Sequence, residues 1–384
     1  MATFLVNSDT LENELVQWNE VGLERPSLLG NSLWVLGGQN ASGQLAQSDV
    51  TPRSSPVQIG SLTNWTQVTD DGAVVFGLKN DGTIWTWGLG QTGSFGLGSG
   101  VLQQYSSPVQ IGSLTNWRSI WAATTGAVAI KTDGSLWGWG NNDLGRIGDG
   151  TVVHKSSPVQ IGSLTNWSSA AAFSHTIAVK IDNTLWSWGR GISGELGSGA
   201  ITSRSSPVQV GALTNWRKVY ANWFSSYAIK TDGTIWAWGL ATSGQLGAGN
   251  ILNRSSPVQI GALTNWRSVF PGQASSGATK TDGTIWTWGW NHIGQLGDGT
   301  ITHRSSPVQV GALTNWSSAA AAQYSVSAVK YDGTLWVWGW NNFGQLGQGN
   351  ITHRSSPVQV GALTNWKTVT EGPRNAAHFV LTNS

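Results

Sequence analysis

The pentapeptide SSPVQ occurs seven times, with its proline at Pro56, Pro108, Pro158, Pro207, Pro257, Pro307 and Pro357, at spacings of 52, 50, 49, 50, 50 and 50 residues. A tryptophan follows each proline nine residues later, at Trp65, Trp117, Trp167, Trp216, Trp266, Trp316 and Trp366, always within LTNW. A third anchor, DGTIWTWG or a close variant, recurs six times and supplies the pairs Trp85/Trp87, Trp137/Trp139, Trp186/Trp188, Trp236/Trp238, Trp286/Trp288 and Trp336/Trp338. Periods near 50 residues belong to propellers and solenoids. A length of 384 residues, which alone would suggest two or three domains, is therefore read as one repetitive domain.

Within one repeat, PVQIG, WRSIWAA, GAVAIKT and SLWGWG are short runs rich in β-branched and aromatic residues, separated by Gly, Asp, Asn and Thr. That is the pattern of four strands. Asp133-Gly134 stands between the last two, and the dipeptide recurs as Asp81-Gly82, Asp232-Gly233, Asp282-Gly283 and Asp332-Gly333. It predicts a tight hairpin that pins the register of the two longest strands. No stretch of the repeats keeps a 3.6-residue apolar period with helix caps, which argues against a helical solenoid.

The two ends complement each other. The seventh repeat runs out at His378-Phe379-Val380-Leu381-Thr382-Asn383-Ser384, where a DGTIWTWG strand should follow, and GNSLWVLGG (residues 30–38) opens the repeat region without a preceding partner. Trp34 falls at the first Trp of the pair and Leu36 at the second. One blade shared between the termini closes a ring and removes the exposed edges of an open array. The fold expected is an all-β, seven-bladed β-propeller of four-stranded antiparallel blades over residues 30–384, preceded by a separate segment, 1–29.

The strand IKTDGTIWTWG and the following loop with GQLG (Gly43-Gln44-Leu45, Gly244-Gln245-Leu246-Gly247, Gly294-Gln295-Leu296-Gly297, Gly344-Gln345-Leu346-Gly347) resemble the repeat of the regulator of chromosome condensation, the RCC1 family, over residues 30–384. Kelch propellers share the period but carry a paired-glycine strand motif that is absent here. At the AGxxHxxAL segment of the RCC1 repeat only His175 keeps the histidine; elsewhere the chain reads TTGAVAI, FSSYAIK, ASSGATK and YSVSAVK. The resemblance implies the seven-bladed fold and, as family functions, nucleotide exchange on a small GTPase and binding to chromatin.

Composition narrows the functional classes. Charged residues make up 10 %, with 21 basic and 19 acidic for a formal charge of +2, too balanced for the broad basic footprint of a nucleic-acid binder or a polybasic membrane protein. The absence of cysteine excludes disulfides, thiolate metal sites and a Cys nucleophile. The opening MATFLVNSDTLENELVQW has neither the basic n-region nor the apolar h-region of a secretory signal, and no apolar run is long enough to span a membrane; the expectation is a chain that is neither Sec-exported nor membrane-inserted. Gly88, Gly90 and Gly93 spell GxGxxG after a strand, but no helix follows, so turn geometry explains them better than a dinucleotide site. Asp149 and Asp298 in GDG turns lack the further carboxylates of a calcium site. None of the six histidines stands in a nucleophile or metal motif. No catalytic residue, metal or cofactor is assigned.

Of the 25 tryptophans, 20 occupy repeated positions and are expected to be wedges buried between blades, each indole N–H donating to backbone. Trp18, Trp121, Trp223, Trp290 and Trp340 fall at variable sites and are better ligand candidates. Variable positions within a constant unit mark loops carried on a rigid scaffold. One such set follows LTNW (Asp70, Asp71, His175, Asn222, Trp223, Phe224, Gln273, Gln323, Tyr324), and another follows WG (Trp290 and Trp340 among them); their amides, carboxylates and aromatics suit glycan or protein recognition. Before each SSP stands Arg53, Tyr105, Lys155, Arg204, Arg254, Arg304 or Arg354, and before most Asp-Gly turns a lysine, so each position becomes a ring. The Arg/Lys ring could grip an acidic polysaccharide or an acidic partner surface, or each member could pack on a Trp and pair locally.

Residues 1–29 carry five acidic residues against Arg25, while residues 30–384 carry 20 basic against 14 acidic. This acidic arm, with Phe4, Leu5, Val6, Leu15, Val16 and Trp18, reads as a segment docking the propeller to protein partners in a larger assembly. The low charge, the Ser/Thr/Asn/Gln/Gly surface and the near-identical repeats lead to the expectation of a non-enzymatic structural and recognition protein displayed outside the cell, as a phage tail, fibre or capsid appendage. Two alternatives stand beside it. One is an RCC1-type exchange factor or chromatin adaptor in the cytoplasm, against which the even spacing leaves no room for an inserted wedge. The other is a secreted inhibitor-type propeller.

Overall fold

The computed structural model describes residues 31–90, 93–98, 102–370 and 378–382; the acidic segment 1–29, Trp18 included, lies outside the described residues. Each repeat forms a four-stranded antiparallel sheet whose strands follow one another in chain order. In the first blade these are Trp65–Asp70, Val74–Lys79, Ile84–Gly90 and Gln103–Gln110. Side chains of the second strand are buried throughout, because neighbouring blades cover both of its faces, whereas the outermost strand alternates between half-buried and exposed. Among the described residues no helix is long and apolar enough to cross a membrane.

Six such blades are continuous in sequence and the seventh is shared. It takes Trp366–Val369 and Phe379–Thr382 from the end of the chain, and Leu33–Val35 and Val57–Gln58 from its start. Leu33 pairs with Leu381, Trp34 with Val380 and Val35 with Phe379. The ring therefore closes through backbone hydrogen bonds, as the complementary ends require. Each end contributes two strands.

The first strand of every blade is the innermost. Gln67 Nε2 donates to Ile120 O at 2.6 Å and Ile120 N donates back to Gln67 Oε1 at 3.1 Å; Arg118 reaches Trp167 O at 2.9 Å and Val369 N reaches Ser318 Oγ at 3.2 Å. First strands thus touch their counterparts around the axis, while the cores lie between blades. Ile177, Val179, Leu185 and Val210 of the third blade pack with Trp216, Val219, Ala228 and Trp238 of the fourth.

The Asp-Gly connections are longer than a two-residue hairpin. Four residues separate Lys79 from Ile84, and Asp81 Oδ1 accepts both Thr83 N at 2.9 Å and Thr83 Oγ1 at 2.6 Å, an Asx turn that fixes the same register. Gly333 has φ +76°, and a Cβ there would fall 1.9 Å from Thr364 O of the linker to the next blade. In the third blade Asn183, φ 60°, takes the glycine's place, a substitution tolerated because Asn enters the left-handed region more readily than most residues.

Candidate interaction face

Because first and third strands run in the same direction, the loops that end them gather on one side of the ring, here the loop face. The Asp-Gly turns and LTN linkers form the opposite turn face. Both variable sets identified in the sequence lie on the loop face, the LTNW set near the axis and the WG set outside it.

The inner set is largely a ring of braces between blades. Asp71 is buried; its Oδ1 accepts Val74 N at 2.8 Å and its Oδ2 accepts Thr125 N of the next blade at 2.6 Å. Asn222 repeats this arrangement, accepting Ser225 N at 2.8 Å and donating to Gly272 O of the next blade at 2.8 Å. Gln323 Nε2 donates to Gln273 Oε1 at 2.6 Å. Asp70 is buried and its Oδ1 has no hydrogen-bond partner among the described residues; burial first, and the Asp71 charge second, push its pKa well above the usual carboxylate range.

His175 is fully buried, with Nε2 2.6 Å from Ser226 Oγ. Since Ser226 Oγ donates to Glu195 O at 2.7 Å, the imidazole proton sits on Nε2. Burial, followed by the Arg190 charge, pulls its pKa down to about 3. His378 lies between Ser325 and Ser327 at 2.8 and 3.0 Å, and burial pulls its pKa to about 3 also. Both rings are neutral in the fold, while the unfolded chain takes up protons near the ordinary value of 6.5. Stability is therefore full above that value and falls as pH drops from about 6.5 toward about 3. Thermal melting between about pH 7 and pH 4 is expected to show this decline, with a shallower slope in His175→Asn; an unchanged slope would mean that His175 does not carry it.

Outside the braces, aromatic side chains form a continuous patch across the fifth and sixth blades. Tyr324 lies 5.1 Å from Trp290 and 5.9 Å from Trp340 between ring centroids, and Trp340 meets Phe343 edge to face at 5.1 Å. His292 stacks on Trp290 at 5.8 Å, with His303 at 6.1 Å. Trp290, Tyr324, Trp340 and Phe343 are only partly buried, and both histidines are exposed. A second group unites Trp223 with Phe173 at 5.3 Å and Phe224 at 5.9 Å. Arg190, ion-paired to the buried Glu195, lies over the Phe224 ring at 4.3 Å. Arg190 follows WG and belongs to the second variable set, whereas sequence reasoning assigned no role to Glu195; their separation by five residues carried no signal.

The Arg/Lys positions before SSP lie where the outermost strands begin, at the rim of this face. Arg53 pairs with Asp49 at 2.6 Å, Lys155 with Asp149 at 3.1 Å and Arg304 with Asp298 at 3.1 Å. Arg204, Arg254 and Arg354 have no carboxylate partner among the described residues.

Repeated tryptophans divide into three kinds, which differs from the expectation of uniform wedges. The second of each pair is a buried wedge: Trp87, Trp188, Trp238, Trp288 and Trp338 donate to a backbone carbonyl of the preceding blade at 2.7–3.1 Å, while Trp139, equally buried, meets no acceptor among the described residues. The LTNW tryptophans are equally buried, but their indole N–H groups meet no acceptor among the described residues; each ring instead meets another Trp edge to face or at a steep tilt, as Trp216 does with Trp236 at 6.0 Å. The first of each pair is only half-buried, and its N–H goes to a side chain, Trp236 Nε1 donating to Thr234 Oγ1 at 2.9 Å. Above it sits the lysine that precedes the turn, at 3.6–3.9 Å from the ring centroid in six blades.

The family model for the regulator of chromosome condensation (RCC1) repeat matches residues 81–130, 133–179, 182–229, 232–278, 282–329 and 332–374. No curated protein matches the chain in sequence. Among solved structures, Prp20p from Saccharomyces cerevisiae, described with its binding to Gsp1p and histones, superposes with a TM-score of 0.84 at 14 % identity, covering 100 % of this chain and 96 % of that one. Yeast RCC1 (Prp20) bound by Kap60 gives 0.83 at 16 %, covering 100 % and 94 %, and human WBSCR16 gives 0.80 at 17 %, covering 92 % and 99 %. At such identities these superpositions speak for the fold. The repeat matches speak for more, since six of them run consecutively through most of the ring: the chain belongs to the RCC1 repeat family.

Proposed function

We propose that this chain is a non-catalytic, RCC1-type recognition propeller that binds a protein partner through its loop face, centred on Trp290, Tyr324, Trp340 and Phe343. The observation that carries this reading is the contiguous, partly exposed aromatic patch held on a rigid ring, since Trp and Tyr anchors supply most of the energy of protein interfaces. Trp223, Phe224 and the rim cations Arg204, Arg254 and Arg354, which have no carboxylate partner among the described residues, extend the same face. Segment 1–29 belongs to the proposal as a docking arm.

Prp20 is described with Gsp1p, histones and Kap60, which supports the exchange-factor and adaptor alternative over display on a virion; nothing in the comparisons supports a phage appendage, an extracellular address or a glycan on this face. The direct test titrates the full chain against a Gsp1p-type GTPase and against core histones, and measures GDP release from the GTPase. One of these partners is expected to bind, and Trp290→Ala with Trp340→Ala should weaken binding by about 30-fold or more while the melting temperature stays within a few degrees. Binding that survives the double substitution would remove the loop face from the interface. Failure of both partners would remove the RCC1-type reading.

A further inference from the structure

On the turn face, away from the aromatic patch, a cleft of about 340 Å³ opens between the seventh and first blades, lined by Ile59, Leu62, Trp65, Lys79, Trp85 and Pro108 among others. Two blades further on, a cleft of about 280 Å³ has Ile161, Leu164, Trp167, Lys180, Trp186 and Pro207 at the corresponding places. The agreement is built into the repeat, because LTNW, the lysine before the turn, the first Trp of the pair and SSP each supply one wall.

The ammonium is the unusual component. Lys79 Nζ lies 3.6 Å from the centroid of Trp85 and 4.9 Å from that of Trp65, and Lys180 lies 3.6 and 4.9 Å from Trp186 and Trp167. These lysines are 4–5 % exposed, yet no carboxylate pairs with either among the described residues. Two indole rings partly compensate the lost hydration through cation–π attraction. They leave the ammonium's hydrogen-bonding capacity unused by any anion. The neighbouring carboxylates Asp81 and Asp182 are engaged by Thr83 and Thr184.

We infer that these inter-blade clefts bind sugar rings that carry a carboxylate, such as the uronates of an acidic polysaccharide. One ammonium per cleft matches one negative charge, whereas a phosphoryl group calls for several cations or an arginine fork. The volumes, about 340 and 280 Å³, stand just above and just below the lower bound of small-ligand pockets, about 300–1,000 Å³, which fits one ring and excludes a folded segment. Apolar walls of Trp, Leu and Pro suit the C–H face of a sugar, and Ser107 and Ser206 at the rim suit its hydroxyls. The Lys–Trp–Trp group recurs in six blades, so a polymer presenting the same unit repeatedly gains avidity that a free acid does not. The shared blade has Thr382 opposite Trp366, where the others have lysine, so it lacks the cation. The clefts are not equal either. Asp149, which lines the second, is already bound to Lys155 and Asn142 but still opposes an anion, and Gln47 stands in its place in the first. The first cleft should therefore bind more tightly.

The test is calorimetric titration of the full chain with trigalacturonate, its methyl ester and a neutral galactan trimer. Trigalacturonate is expected to bind at least about tenfold more tightly than either uncharged ligand, with affinity falling as salt rises, and Lys79→Gln is expected to remove the tightest class of sites while Lys180→Gln removes a weaker one. The methyl ester keeps the test independent of any variant that fails to fold. Equal binding of acid and ester, no binding at all, affinity unchanged by Lys79→Gln, or stronger binding of a polyglutamate peptide than of the uronate would each overturn the inference. A failure here leaves the protein interface on the opposite face untouched, because the two sites share no residue.

Discussion

Replacing Trp238 by Ala is expected to cost about 3–5 kcal/mol, the range for truncating a large buried aromatic. Trp236→Ala, two residues away on the same strand, should cost about 1–2 kcal/mol. Trp238 is fully buried and packs at once against Ile177, Leu185 and Val210 of the third blade and Trp216 and Val219 of its own. Its indole N–H also donates to Glu195 O at 2.8 Å across the blade boundary, so truncation leaves a cavity and removes one of the two hydrogen bonds that this carbonyl accepts, the other coming from Ser226 Oγ. Trp236 is half-exposed and loses mainly its contact with Lys230, 3.7 Å from its ring centroid, an interaction of about 0.5–2 kcal/mol. Thermal or urea unfolding of the two variants measures the difference directly. Equal losses would show that the blades are not wedged apart by the second tryptophan of the pair.

This contrast also marks how far the sequence could be read. Ring closure was legible because the missing strand at one end and the orphan strand at the other are complementary, and Leu36, fully buried, fills the place of the second Trp as the alignment of GNSLWVLGG predicts. The phase of the repeat was not legible: SSPVQ opens each sequence unit but forms the outermost strand of the preceding blade, and a period fixes spacing without fixing where one sheet ends. The tryptophans look alike in sequence because DGTIWTWG places both of a pair on one strand. Only the packing of the adjacent blade distinguishes Trp85 under its lysine from Trp87 in the core.

The candidate site divides along the same line. Trp290, Tyr324 and Trp340 were found as departures from the repeat, and they form one patch. Asp71 and Asn222 depart from the repeat equally, but their side chains bridge to Thr125 N and Gly272 O of the next blade. A short polar residue that braces a ring and one that faces solvent leave the same trace in one sequence. The lysine cages were visible as a periodic charge, yet the two tryptophans that enclose each lysine come from separate anchors, and their proximity arises only when the sheet forms.

Deleting residues 378–384 should damage the whole ring, not just its end. The strand Phe379–Thr382 is internal to the shared blade, hydrogen-bonded to Trp366–Val369 on one side and Leu33–Val35 on the other. Phe379 and Leu381 pack with Trp65 and Trp87 of the first blade, and Val380 packs with Leu335, Val337 and Trp366 toward the sixth. Removing three buried apolar side chains forfeits about 4.5–9 kcal/mol at about 1.5–3 kcal/mol each, before the severed hydrogen bonds are counted. The strands left on either side become free edges, which pair with other chains. A fall in melting temperature of at least about 10 °C is expected, together with a concentration-dependent oligomer in sedimentation. Adding a synthetic peptide of residues 375–384 should restore part of both losses by inserting between the two edges as a supplied strand. A truncated chain that stays monomeric with an unchanged melting temperature would mean that the blades hold together without the closing strand, and the ring would then owe its stability to the Trp wedges alone.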